Sequence, residues 1–395
     1  MRVTTAYSYS ASMANLQKRQ TELNEANGRM TSGKRVEKAS DDPTNAARAE
    51  RALAVVARSD ANQRALEASR NAMTLTENAL GDATELLQQA REAMVAAGNG
   101  SYSDAERAAQ AKKLTELRQQ LFTVANRSDG AGGFLFSGQG ASQPPFVDTA
   151  TGVQFRGAAG QVDVASDEAL PLTIDGADAW LHAPTGNGVF ETRATSSTTA
   201  WIDAGRVSDP SQLTGGSYNV QFTQAGGVTS YEVRNAGGTL LASAPYKEGK
   251  AIEVEGMSFN IGGAPAVGDR FDIVPSTRTQ DVFGVLDRTI AELTTPHRTG
   301  AQITQSAQTA LRDLDAVGGA LQDLRAAVGE SLNRADAVEG RVSALRLYGE
   351  TARSNAEDLD LAQAISDFKN KETGYSASLQ TYSSVQRLSL FQYIS

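Results

Sequence analysis

The side chains best suited to chemistry are few in this sequence. It holds two histidines, His182 and His297, and no cysteine. Imidazole and thiolate are the usual ligands of a transition metal, and neither histidine has a second one at ligand spacing. No metal site is expected, and both rings read as surface residues. With no cysteine, thiolate nucleophiles and disulfide staples are excluded together. Gly138-Gln139-Gly140 and Gly186-Asn187-Gly188 begin like phosphate-cradling loops. Both lack the remaining glycine spacing and a following helix with Lys-Ser/Thr, so they read as turns. Asp41 and Asp42 form a pair of carboxylates, but Pro43 beside them suits the first position of a helix and makes capping the better role. No residue is assigned a catalytic role and no cofactor is implied, so the expected product is not an enzyme.

Composition points the same way. The 395 residues carry a formal charge of −9, which argues against nucleic acid as a partner because phosphate binding needs clustered Lys and Arg. No apolar run approaches the ~18 residues of a membrane span, and no membrane partner is expected. The N-terminal residues lack the apolar centre of a secretory signal, which taken alone suggests a cytosolic protein.

The ends of the chain have a helical period and the middle does not. Met13, Leu16, Leu23 and Met30 form a thin three-four stripe. Gly33 interrupts it, and Ser40-Asp41-Asp42-Pro43 opens a second helix expected to reach Ala97. Its heptad seam runs through Leu66, Ser69, Met73, Thr76, Leu80, Ala83, Leu87, Ala90, Met94 and Ala97. Ser103 and Glu106 make a capping box for a third helix. From about 130 to 277, glycine, threonine and alternating residues predict strands, starting at Gly133-Phe134-Leu135-Phe136 and including Tyr218–Phe222, Tyr231–Arg234, Ala251–Val254 and Arg270–Val274. Helix resumes near Thr279, pauses at Pro296, and carries a second seam from Leu314 through Val317, Leu321, Leu324, Val328, Ser331, Ala335, Val338 and Val342 to Leu345. At ~1.5 Å per residue the two long helices match in length and can lie side by side. A last helix carries Leu361, Ile365, Phe368, Tyr375, Leu379, Tyr382, Leu388 and Phe391.

The expected fold is therefore mainly α: a long antiparallel coiled-coil rod built from both ends of the chain, with an inserted all-β domain. The expected boundaries are terminal helical arms at 1–40 and 360–395, a rod with a β-hairpin at 41–164 and 278–359, and the β insertion at 165–277. A seam of Leu, Met and Ala is the ordinary core of an intramolecular bundle, and both heptad seams are read so. The arms, with thin stripes, are expected to need partners.

Mirrored terminal helices around a variable middle resemble flagellin and its relatives. Met30-Thr31-Ser32-Gly33-Lys34-Arg35-Val36 followed by Ser40-Asp41-Asp42-Pro43 resembles the spoke region of that family. The Gly-Lys-Arg and Asp-Asp-Pro version is closer to hook-filament junction proteins, the hook-associated protein 3 family, than to filament flagellin. The stretch from Tyr382 through Leu388-Ser389-Leu390-Phe391-Gln392 agrees with it, as does Gly268-Asp269-Arg270-Phe271. That family often has proline before Ser-Asp-Asp-Pro, where Lys38-Ala39 stands here.

The resemblance implies a structural subunit of the bacterial flagellum, exported by the flagellar type III apparatus to an extracellular position. Implied partners are further copies in a ring or layer, a hook-proximal hook-associated protein, flagellin, and an export chaperone. The implied spoke residues are Gly33, Lys34, Arg35, Asp41, Asp42 and Pro43, and the apolar stripes of the two arms are the implied assembly interface. Filament flagellin, or a type III-secreted coiled-coil protein of another kind, is the alternative.

Overall fold

The computed structural model describes residues 5–141, 143–164 and 169–391. In chain order the helical start is α1 (Thr5–Ser32), α2 (Pro43–Ala97) and α3 (Asp104–Ala125), followed by the hairpin strands β1 (Phe146–Thr149) and β2 (Gly152–Phe155) and a short α4 (Gly176–Trp180). Then come β3 (Phe190–Ser196), β4 (Ala200–Ile202), β5 (Arg206–Val207), β6 (Tyr218–Ala225), β7 (Val228–Asn235) and β8 (Leu240–Pro245). The strands end with β9 (Ile252–Val254), β10 (Met257–Phe259), β11 (Ile261–Gly263) and β12 (Arg270–Pro275), and the chain returns to helix in α5 (Val282–Thr294), α6 (Gly300–Glu357) and α7 (Leu361–Phe391). Two compact units divide it, one made of 1–64 with 338–395 and the other of 65–337.

In the larger unit, α2 and α6 run antiparallel. Arg91 reaches Asp315 at 2.7 Å, Arg325 reaches Glu77, and Arg70 reaches Asp336. Every member of the α2 seam from Leu66 to Ala97 is buried, the polar Ser69 and Thr76 included. Thr76 returns its hydroxyl to the Ala72 carbonyl, and Ser69 donates to the Pro171 carbonyl at 2.6 Å, so neither is an orphan. Helices α3 and α5 complete this core, with α3 starting from the Ser103–Glu106 capping box. Phe136, Phe146, Trp180 and Phe283 form an aromatic cluster in it, Trp180 stacked on Phe283 at 6.0 Å. The buried Arg118 guanidinium ties the hairpin to the helices, donating to Asp148 at 2.7 and 3.0 Å and to Asp287 at 2.9 Å. Its charge is held by those carboxylates, Asp148 first, and Asp148 falls below the ordinary carboxylate range in return.

Three expectations change here. Gly133–Gly138 forms no strand, because Leu135 and Phe136 are fully buried as anchors in the helical core. The insertion begins later than 165, since Ala179, Trp180 and Ala183 pack into the helical core and the β core starts at Phe190. Leu345, the last residue of the second seam, is 53 % exposed although Val342 one turn earlier is buried.

The four predicted strands are found at β6, β7, β9 and β12, with β9 beginning at Ile252, one residue after the expected Ala251. The largest sheet has the order β3-β12-β6-β7-β8, antiparallel throughout, with Tyr218, Val220 and Phe222 of β6 alternating into the core. At its root the entering and leaving chains pair with each other: Ala183 and Gln280 exchange both backbone bonds at 2.9 and 3.0 Å, and Thr185 N–H meets the Thr277 carbonyl at 2.8 Å. Helix α6 braces the insertion. Gln305 Oε1 accepts the Ile202 N–H at 2.8 Å, and Arg312 donates to the Thr192 carbonyl at 2.9 Å while flanked by Glu191 and Asp313. Burial opposes the charge on Glu191, but Arg193 and Arg312 hold it below the ordinary range.

Because the seam is closed around Leu321 and open around Leu345, the two leucines should differ on truncation. Leu321→Ala is expected to cost about 2–5 kcal/mol in urea unfolding of the monomer and Leu345→Ala less than about 0.5. Equal losses would contradict the burial pattern. Joining Thr185 to Thr277 by a short turn in place of 186–276 should leave the helical far-UV signal and a cooperative melt, since the root already brings those residues together; loss of the cooperative melt would show that the rod depends on the insertion.

Candidate assembly surface

The smaller unit contains the spoke residues and both arms. Helix α1 stops at Gly33, whose φ of +69° is the left-handed conformation glycine adopts without a Cβ penalty, and whose N–H reaches the Arg29 carbonyl at 2.9 Å. The chain then crosses the end of α6 as one side of a clasp. Arg35 N–H donates to the Glu357 carbonyl at 2.6 Å, and Leu359 N–H donates back to the Gly33 carbonyl at 3.0 Å. Side chains reinforce the crossing: Lys34 Nζ lies 2.8 Å from the Glu357 carboxylate, and Arg35 Nη2 donates to the Ala356 carbonyl at 2.9 Å. Glu357 is pulled below its ordinary value by Lys34 and then Arg353, against the effect of its burial.

The two aspartates of the motif do local work. Asp42 accepts the Asn45 N–H at 3.0 Å as the cap of α2, with Pro43 as the first helical residue and Arg35 3.4 Å away. Asp41 accepts the Lys38 and Glu37 amides at 3.0 and 3.2 Å and so closes the preceding turn. Both carboxyls are lowered by these backbone donors. The six spoke residues are thus brought to one place. Their C-terminal counterpart, Ala356–Leu359, escaped the sequence reading, because it acts largely through backbone atoms that leave no residue-type signal, with Glu357 its one paired carboxylate.

From the clasp, α1 and α7 run back antiparallel to each other. At the far end the Tyr9 and Tyr382 hydroxyls are 2.7 Å apart with ring centroids 5.6 Å apart. Midway, Gly374 leaves room for Arg19, whose Nη1 a Cβ would approach to 2.9 Å. Met13, Leu16, Leu23 and Met30 are half-buried, as are Phe368, Tyr375 and Tyr382. Leu361, Ile365 and Leu379 are 56, 45 and 42 % exposed. The side chains of Leu388 and Phe391 lie outside the described residues. Only Ala26 in α1 is fully buried among the described side chains of this pair, so two helices of 28 and 31 residues stand on thin mutual packing.

The two histidines belong to the larger unit. His182 Nδ1 pairs with Asp178 at 2.9 Å, one turn away on the surface, and His297 uses its backbone N–H on Asp104. Among the described residues no group of three His, Cys, Asp or Glu could hold a metal ion, and no helix is long and apolar enough to cross a membrane.

Comparison with known proteins gives the arrangement a family. The bacterial flagellin N-terminal helical region matches residues 3–141. Flagellar hook-associated protein 3 of Salmonella typhimurium is 34 % identical over 200 residues, 48 % of this chain and 60 % of that protein. Its Escherichia coli counterpart is 25 % identical over 99 % of both chains. FlgL of Xanthomonas campestris, a crystal structure, is 31 % identical with a TM-score of 0.70, over 78 % of this chain and 99 % of that one. The chain belongs to the FlgL family of flagellar hook-associated proteins. The FlgL fold accounts for the mainly α architecture with an inserted antiparallel β domain, and the resemblance seen in Gly33–Pro43 now has a three-dimensional form in the clasp.

In this FlgL-family chain the clasp makes a pH prediction. A glutamate whose folded value is depressed adds stability above its unfolded value and loses it as pH falls through the folded one. The Lys34–Glu357 contribution should therefore be complete above the ordinary 4.5 and fade below it. Between about pH 6 and 3, amide exchange at Arg35 and Leu359 should accelerate in the parent protein and change less in Glu357→Gln; identical profiles would remove Glu357 from the clasp.

Proposed function

We propose that this chain is a structural component of the bacterial flagellum that adapts the hook to the flagellin filament, polymerising through its terminal arms into a ring or layer. Full-length alignment with a hook-associated protein 3, covering 99 % of both chains, supports this reading over filament flagellin. The mechanism is mechanical. One side of the layer meets a hook-proximal hook-associated protein and the other meets flagellin, at an extracellular position reached through the flagellar export apparatus with its chaperone. The observation that carries the reading is the α1/α7 pair: it keeps Leu361, Ile365 and Leu379 exposed on a thinly packed two-helix arm, and that arm gains its order by burying them between subunits.

Electron microscopy of flagella from a deletion strain tests the role: hooks without filaments, with flagellin lost to the medium, are expected, and normal filaments would overturn it. Leu379→Asp places a charge on a surface that is open in the monomer and dry in the assembly. Its monomer should melt within about 0.5 kcal/mol of the parent while filament growth fails. Unimpaired motility would show that Leu379 is not at the assembly interface.

A further inference from the structure

The exposed end of the second heptad seam carries an inference that deepens the proposed self-assembly and rests on it. Val317, Val338 and Leu345 occupy one heptad register of α6; the first two are 1 and 6 % exposed and the third 53 %. Higher along the helices, α3, α5 and the segment at Leu170-Pro171 close over the α2/α6 pair. In the smaller unit Val338 is still buried, and beyond it the buried line contracts to small residues: Ala49, Ala52 and Ser59 on α2 against Val342, Gly349 and Ala356 on α6. Gly349 lets the backbones close in, since a Cβ there would lie 2.9 Å from Val56. Contact on this narrow line turns Leu345 and Tyr348 outward, Tyr348 to 68 % exposure. The result is half of a helical core with its third helix missing.

Three features say what completes it. The chain has no described helix to spare, because α1 and α7 cover each other. Heptad spacing places Arg51 and Arg58 in one register of α2, so a matching helix should be apolar and acidic. The start of α7 fits that description: Asp358 and Asp360 precede Leu361 and Ile365, which are exposed one turn apart. We infer that the Leu345–Tyr348 flank of one copy receives the Leu361–Ile365 start of α7 from a second copy. The two patches are different surfaces, so the contact is heterologous and propagates from copy to copy as a ring or helical layer instead of closing as a pair.

The absence of native cysteine makes a direct test possible. Flagella are purified from cells producing the full chain as Leu345→Cys, as Ile365→Cys, or as both, and are oxidised with copper phenanthroline. The double variant should yield a ladder of covalent multimers of this chain alone, with each single variant remaining monomeric and all three melting like the parent in solution. Homodimers from Leu345→Cys alone, adducts with the mass of another flagellar protein, or no ladder from a chain demonstrably present would each overturn the contact. Absence of the chain from purified flagella, probed in the same samples, would instead overturn the function on which the contact rests, and the contact with it. As a second measurement, Leu345→Arg should melt like the parent and be shed from cells into the medium; its retention in flagella at the parent level would count against the inference.

Discussion

The fold depends on two helices of 55 and 58 residues that find each other from opposite ends of the chain. In the larger unit the pair shares one seam, and burial of that seam is what an isolated helix of this composition lacks. Charged contacts such as Arg91–Asp315 and Arg325–Glu77 fix the antiparallel register along the edges, where their exposure makes them worth little energetically. Everything between the helices in sequence is therefore brought back to its starting place. The insertion, the hairpin and the aromatic cluster around Trp180 are additions to a frame that the seam already holds.

Where cover is complete, the frame is a bundle core; where it is absent, the same pattern becomes a surface. Polar residues tell the two apart. Ser69 and Thr76 are tolerated inside because the Pro171 and Ala72 carbonyls receive them. At the root of the insertion the buried Arg312 is answered by Thr192, Glu191 and Asp313, so a charged joint is fully partnered at the point where sheet meets helix. The clasp at Gly33–Arg35 combines backbone bonds to Glu357 and from Leu359 with one side-chain pair, Lys34 on the Glu357 carboxylate.

Much of this was legible in the sequence. All ten residues of the first seam are buried because a seven-residue repeat leaves a helix one way to pack, and the capping box at Ser103 and the stop at Gly33 follow from local chemistry. What was not legible depends on partners distant in sequence. Leu345 continues the repeat perfectly and is still exposed, since the pattern cannot say where a covering helix ends. Phe136 and Trp180 looked like parts of the β region because their neighbours are glycine and alanine, and only tertiary contact, Trp180 on Phe283 and Phe136 on Trp180, claims them for the helical core. At the spoke, residue types marked Gly33 to Pro43, whereas the answering backbone at Ala356–Leu359 had no signature to read.

The paired root of the insertion bears on how such a chain can diversify. Since Ala183 and Gln280 meet across one antiparallel bridge, the phase of α5 and α6 is set at that bridge and owes nothing to how many residues lie between. Lengthening or trimming the loops of the β domain leaves the helical register untouched. The β domain is thus free to drift in size and surface, while the helical part stays bound to the seam that sets its register.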